Sequence, residues 1–181
     1  GGAGTAARVR RLDEDAEVIM FERGSHVSFS NCSLPYHLSG IVKECDDLVL
    51  MCPSKFAEQY NIDARVNSEV TKINKEEKTI EVKNLETGET YTEKYDKLML
   101  SPGANPIRPG SIKGVNNENV FTIRNVGDID NLHQYVKNNN VKNVAVIGAG
   151  YIGVEIAENF IHSDKNVALV EAMDQVLNPF D

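Results

Sequence analysis

Apolar and polar positions change period several times along this chain, and each change predicts an element. Residues 3–13 place Ala3, Ala6, Ala7 and Val9 at helical spacing, with Arg8, Arg10 and Arg11 outward, and stop at Asp13-Glu14-Asp15. The run 16–22 is short, mostly apolar and closes on Glu22, which predicts a buried strand. A Gly-Ser turn follows, then a segment entering a helix near Asn31, then a short helix over 54–60. From 62 to 101 the period falls to two, with turns at Asn74-Lys75-Glu76 and Thr87-Gly88. This predicts a β-meander whose last strand, 95–101, is fully buried. Residues 101–119 are rich in Pro, Gly and Asn and mark a loop and domain boundary. Val126, Ile129, Leu132 and Val136 then share one face of a helix, with Asp128 or Asp130 near its start. Residues 141–171 read strand, glycine turn, helix, strand. Both ends of the chain thus carry a glycine turn, a helix, and a strand stopping on glutamate.

Composition narrows the picture. A chain of 181 residues with 41% apolar and 25% charged residues is ample for one core and marginal for two. The net charge of −8 argues against nucleic acid or an anionic membrane surface as the main partner. No apolar run approaches the ~20 residues of a membrane span. The three cysteines are no disulfide framework, and with no signal peptide in view the expected setting is cytoplasmic. The sequon Asn31-Cys32-Ser33 is then accidental. His26, His37, His133 and His162 show no metal-ligand spacing, so no metal site is expected, and Cys45 and Cys52 read as free thiols.

Gly148, Gly150 and Gly153 form G-x-G-x-x-G directly after an apolar strand, and Glu171 ends the next strand 18 residues on. That context is what dinucleotide binding requires: a tight turn, close approach of backbone to pyrophosphate, and a helix packed on its strand. A carboxylate at Glu171 would accept from a ribose 2′-hydroxyl and repel a 2′-phosphate, which favours NADH over NADPH. Gly2 and Glu22, 20 residues apart, repeat the end of such a fingerprint at the N-terminus. One nicotinamide site and one flavin site are a common pairing for moving a hydride to flavin.

Cys32 stands in Ser28-Phe29-Ser30-Asn31-Cys32-Ser33-Leu34-Pro35-Tyr36, too far from Cys45 for a CxxC or CxxxxC pair. Read from the residues alone, it is either a small core residue or a reactive thiol whose redox partner comes from outside. Peptide N–H groups at a helix start would favour its thiolate, and Ser30 and Asn31 can donate to sulfur or to a substrate oxygen.

These blocks, together with Tyr91–Pro106 and Val144–Glu158, make the chain similar to the pyridine nucleotide-disulfide oxidoreductases, and within them to the coenzyme A disulfide reductases and NADH-dependent persulfide reductases. The resemblance runs along nearly the whole chain and implies an α/β fold of two Rossmann-like units. Residues 1–108 would be the first segment of an FAD-binding domain with a β-meander, lacking its first strand. Residues 109–181 would be the N-terminal half of a NAD(H)-binding domain. It implies a longer, homodimeric FAD enzyme, with NADH reducing flavin and flavin reducing a mixed disulfide on Cys32. Asn31 would assist Cys32. Gly2, Glu22, Arg23, Val70, Ser101 and Gly103 would hold FAD, and Gly148, Gly150, Gly153 and Glu171 the nicotinamide cofactor. Arg8, Arg11, Ser28 and Asn31 would bind coenzyme A or a related small-molecule thiol, although Arg8 and Arg11 also fit a solvated basic stripe. Gly4 stands where the family often has a hydroxyl. Glu155 would approach the nicotinamide or sit on the helix surface. An NADH oxidase or peroxidase using a cysteine sulfenate, or an inactive fragment with uncovered apolar sheet faces, are the other readings.

Overall fold

The structure, a computed structural model, describes residues 1–178; residues 179–181, the end of the second expected segment, lie outside them. Mixed parallel and antiparallel sheet with flanking helices matches the α/β expectation. The chain divides into two compact units, and neither is one continuous stretch. One comprises Gly1–Phe29 and Val49–Ala104, the other Ser30–Leu48 and Asn105–Asp181.

In the first unit α1 (Gly2–Leu12) leads to β1 (Ile19–Phe21), which pairs in parallel with β4 (Asp63–Arg65). Between them lie β2 (Ser28–Phe29), its antiparallel partner β3 (Val49–Met51), and α3 (Pro53–Tyr60). Ala6, Phe56, Ile62 and Ala64 form the core, with Ala3, Val18, Met20 and Tyr60 packed around it. The small alanine face lets α1 lie close on this core. Arg10 does not point freely outward. Its Nε donates to the Tyr60 carbonyl at 2.9 Å and its Nη2 to that of Asn61 at 2.8 Å. Its Nη1 reaches the Asp13 and Glu14 carbonyls at 3.3 and 2.5 Å. One guanidinium therefore satisfies terminal carbonyls of two helices that are 50 residues apart in sequence.

The meander is present as β5 (Ser68–Asn74), β6 (Thr79–Asn84) and β7 (Thr90–Lys94), antiparallel in order, with Ile80 and Val82 buried. Arg65 joins it to the parallel pair: it lies 2.8 Å from Asp63 and 2.7 Å from Glu93, with its guanidinium over the Phe21 ring.

Two expectations are corrected. Residues 63–65 do not begin the meander but pair in parallel with β1. Residues 95–101 form no strand and are not buried, with Met99 59% and Leu100 62% exposed. An apolar run becomes a strand only where a neighbour takes its backbone hydrogen bonds; past the Tyr95 amide, which donates to the Lys78 carbonyl at 2.9 Å, no described strand pairs with it.

In the second unit β8 (Asn143–Ile147) pairs in parallel with β9 (Asn166–Val170), connected through α5 (Tyr151–His162). Ile156, Ala157 and Phe160 of α5 are buried, while Ile147 and Val170 are 65% and 51% exposed on the strands. An uncovered sheet face of this kind was expected. In α4 (Val126–Asn138), Val126, Ile129 and Leu132 are buried, as the spacing predicts. Asn125 and Asp128 cap it reciprocally: the Asp128 amide donates to Asn125 Oδ1 at 2.9 Å and the Asn125 amide to Asp128 Oδ2 at 3.1 Å.

Replacing Arg10 by alanine should destabilise the full-length protein by about 1–3 kcal/mol, because several helix-end carbonyls lose a charged donor. Arg11→Ala should change little. Denaturant unfolding of both variants is the check; equal effects would contradict the staple.

Candidate functional site

The glycine turn of the second unit is built by backbone proximity. Gly148 adopts φ +97°, a conformation that side chains resist. A Cβ on Gly153 would stand 1.8 Å from the Gly148 carbonyl oxygen, so only glycine fits there. By contrast, a Cβ on Gly148 or Gly150 would meet nothing within 4 Å. The space over these two residues is open. Gly150 is the N-cap of α5 and provides no side chain to its first-turn amides, and that turn carries no acidic residue. The cradle therefore fits a pyrophosphate: backbone N–H groups, a helix start and no competing anion.

Glu171 lies beside this turn and already works for it. Its Oε2 accepts from the Ala149 amide at 2.6 Å, and its Oε1 from the amides of Ala172 at 2.7 Å and Met173 at 3.0 Å. Those bonds, the Ala149 amide first, hold its carboxyl below the usual range. Its spacing predicts only a ribose contact for Glu171; here the carboxylate also closes the loop.

Cys32 is exposed, and all three cysteines are free. It sits in a single tight 3₁₀ turn, Asn31–Ser33, which runs into α2 (Leu34–Leu38). With five residues, α2 has a small dipole, so local donors matter more than the helix. Ser30 and Ser33 hydroxyls bond each other at 2.7 Å. Arg124 donates from Nη1 to Asn31 Oδ1 at 3.0 Å. A guanidinium only donates, so the amide atom facing it is oxygen, which leaves the Asn31 NH₂ as the donor end. Leu34, Pro35, His37 and Leu38 are buried and anchor α2. Ser39 donates to Asn159 Oδ1 at 2.6 Å, and buried Asn159 donates to the Glu155 carbonyl at 2.8 Å. Arg124, Ser39 and Asn159 were missed by sequence reasoning; separations of 93 and 120 residues leave no local signal.

The first unit holds the other predicted residues in separate neighbourhoods. Ser101 presses on the start of α1, its Cβ 3.6 Å from where one on Gly2 would lie. Gly103 has φ +69°. Glu22 follows β1 and accepts from the Gly24 amide at 2.6 Å; its carbonyl accepts from the Ser68 amide, so β5, with half-exposed Val70, starts beside it. Arg23 lies 3.8 Å from Glu69. Arg8 and Arg11 are exposed on α1, and Ser28 pairs across β2 with Met51. The α1 N-terminus, like that of α5, has no side-chain cap and no acidic residue in its first turn. Elsewhere in the second unit, a cleft of about 410 Å³ beside Arg108, Asn117 and Phe121 contains none of the predicted residues.

The structure also gathers groups that spacing did not reveal. The ligand atoms of His37, Cys45 and Asp130 lie within 4.8 Å of one another, although no metal-ligand pattern was expected of the histidines. The Cys45 thiol is pushed up to about 11, first by burial and then by Asp130, Asp46 and Glu44. Cys52, in contrast, is lowered, chiefly by the Ser54 hydroxyl at 3.1 Å. No described helix is long and apolar enough to cross a membrane.

Among known proteins, the family described as pyridine nucleotide-disulphide oxidoreductase matches residues 1–181. A coenzyme A disulfide reductase of Staphylococcus haemolyticus (strain JCSC1435) is 38% identical over 176 residues, covering 97% of this chain and 39% of that protein. The chain thus spans well under half the length of that relative. The reduced CoADR-RHD of Bacillus anthracis superposes with TM-score 0.97 at 48% identity, over 100% of this chain and 32% of its own. A NAD-dependent persulfide reductase from A. fulgidus gives 0.91 at 32%, over 98% and 33%. A water-forming NADH oxidase from Lactobacillus brevis, bound to NADH, gives 0.90 at 31%, over 98% and 38%. An engineered, NADPH-bound form of that oxidase gives 0.87 at 30%, over 98% and 39%.

Gly153→Ala should cost about 2 kcal/mol or more in the full-length protein, since the α5 start must move off the Gly148 carbonyl. Affinity for the nicotinamide nucleotide should fall with it. Thermal unfolding and NADH titration are the measurements; a variant of unchanged stability would refute the close approach.

Proposed function

The chain belongs to the pyridine nucleotide-disulphide oxidoreductases, and on that premise we propose that it is part of an FAD-dependent oxidoreductase passing electrons from NADH through flavin to Cys32, which reduces coenzyme A disulfide or a related persulfide. One observation carries the reading: Cys32 is exposed and free, on a tight turn, with the donor end of Asn31 fixed by Arg124. Among the described residues this sulfur has no disulfide partner, which supports a redox mate taken from solution. The likeness to the Staphylococcus reductase supports coenzyme A as that mate, and the likeness to the A. fulgidus protein supports a persulfide.

Each of this chain's groups has a part. The Cys32 thiolate attacks one sulfur of the disulfide; the S–S bond breaks, one thiolate leaves and takes a proton from solvent, and a mixed disulfide remains on Cys32. Two electrons from NADH break that bond, releasing the second thiol and restoring the thiolate. Asn31 donates to substrate or sulfur, and Arg124 keeps it turned for that. Arg8, Arg11 and Ser28 provide cations and a hydroxyl for the phosphates of coenzyme A. Gly148, Gly150 and the first turn of α5 bind pyrophosphate; Glu171 selects the ribose. Gly2, Glu22, Arg23, Val70, Ser101 and Gly103 hold FAD, which supplies two-electron relay between nicotinamide and sulfur when bound. The full-length protein is a homodimer on this reading, and cytoplasmic.

The engineered, NADPH-bound oxidase supports NADH as the cofactor here. Its substitutions turn a consecutive Asp-Ala-Met into Ala-Arg-Ser. This chain has the acid-Ala-Met order at Glu171-Ala172-Met173, with no cation for a 2′-phosphate. The similarity to the water-forming oxidase favours a second reading, with oxygen as acceptor and a sulfenate on Cys32.

In the full-length protein, NADH should be consumed with coenzyme A disulfide or a polysulfide, and Cys32→Ser should cost about a thousandfold or more in kcat. Rapid oxygen-dependent consumption with neither sulfur substrate reduced would overturn the disulfide reading in favour of the oxidase. Separately, the triple variant E171A/A172R/M173S should reverse the preference from NADH to NADPH in kcat/KM; an unchanged preference would remove Glu171 from cofactor selection.

A further inference from the structure

The second unit contains a polar cluster that neither the dinucleotide cradle nor Cys32 uses. His37 from α2, Cys45 from the 3₁₀ turn Cys45–Leu48, and Asp130 from α4 aim their side chains at one point, all ligand atoms within 4.8 Å of one another. His37 Nε2 lies 3.4 Å from Cys45 Sγ. These are an imidazole nitrogen, a sulfur and a carboxylate oxygen, drawn from three separate elements.

Two features orient the donors in advance. His37 is 4% exposed, and its Nδ1 lies 3.0 Å from the Val42 carbonyl oxygen. A carbonyl only accepts, so Nδ1 carries the proton and Nε2 presents a lone pair to the cluster. This is how imidazoles that ligate metals are held. Asp130 is fixed from the next turn of α4, with Gln134 Nε2 donating to both of its oxygens at 3.1 Å. The His133 ring packs against His37 nearly perpendicular to it, ring centroids 4.5 Å apart.

We propose that His37, Cys45 and Asp130 form a three-ligand site for a zinc-type divalent cation, with the fourth position open to water. The sulfur and imidazole donors select against hard cations such as calcium and magnesium. Tetrahedral zinc with bonds of about 2.0–2.3 Å sets neighbouring ligand atoms roughly 3.3–3.8 Å apart. The nitrogen–sulfur separation of 3.4 Å already meets this; the widest gap closes with about 1 Å of inward side-chain movement. As the S–metal bond forms, the Cys45 thiol gives its proton to solvent. The bound ion would tie α2, the turn at Cys45 and α4 together, and so clamp the segment that carries Cys32. The inference stands apart from the proposed activity, because none of the three ligands takes part in it.

The test uses the full-length protein, stripped with chelator, equilibrated with zinc and passed through a desalting column. Elemental analysis should find about one zinc per chain in the wild type and in Cys32→Ser. Cys45→Ala should lose it, and Asp130→Ala should bind it at least about tenfold more weakly. Zinc should also protect Cys45 of the wild type from alkylation, as mapped by peptide mass spectrometry, a readout that needs no variant to fold. Absent binding, binding that survives Cys45→Ala or disappears in Cys32→Ser, or unprotected Cys45 would each overturn the site.

Discussion

The second unit depends on the contact between the Gly148 carbonyl and the Cα of Gly153. Because nothing larger than hydrogen fits at Gly153, α5 starts hard against the end of β8. Its buried face, Ile156, Ala157 and Phe160, then lies against the sheet and against α2. Buried Asn159 on that face takes the Ser39 hydroxyl and fixes the end of α2. The position of α2 sets the turn that carries Asn31 and Cys32. A backbone contact at a glycine turn is thereby connected, through one helix and a side-chain hydrogen bond spanning 120 residues, to the turn that carries the exposed Cys32.

That connection explains why the glycines differ in kind. Gly148 is needed for its backbone angle and Gly153 for proximity, whereas Gly150 leaves room for a ligand above it. Glu171 is similarly double-edged. It braces the turn through three amides, so a substitution meant to alter nucleotide choice also removes a structural brace. On the proposed function, cofactor selectivity and loop order are coupled at this one carboxylate.

Local pattern made much of this legible. The amphipathic spacing of α4, an acidic residue at its start, the meander and the strand–turn–helix around Gly148 all follow from short-range rules. What the sequence hid is long-range. The pairing of β1 with β4 skips every element between them, which alternation cannot see. Residues 95–101 read as buried because they are apolar, but burial is decided by neighbours, and Leu100 lies exposed. Arg10 looked like surface charge and is a staple, because its acceptors are carbonyls, which composition does not register. Arg124 and the His37–Cys45–Asp130 cluster escaped for the same reason: only the fold sets residue 130 beside residue 37.

The interleaving of the two units bears on how the chain is made. Residues 30–48 belong with a body whose remaining parts begin at residue 105. On the ribosome this stretch emerges long before α4 and α5 exist to receive it. The first unit must close around a looped-out insert. Throughout that interval the nascent thiols of Cys32 and Cys45 are open to stray oxidants or chaperones.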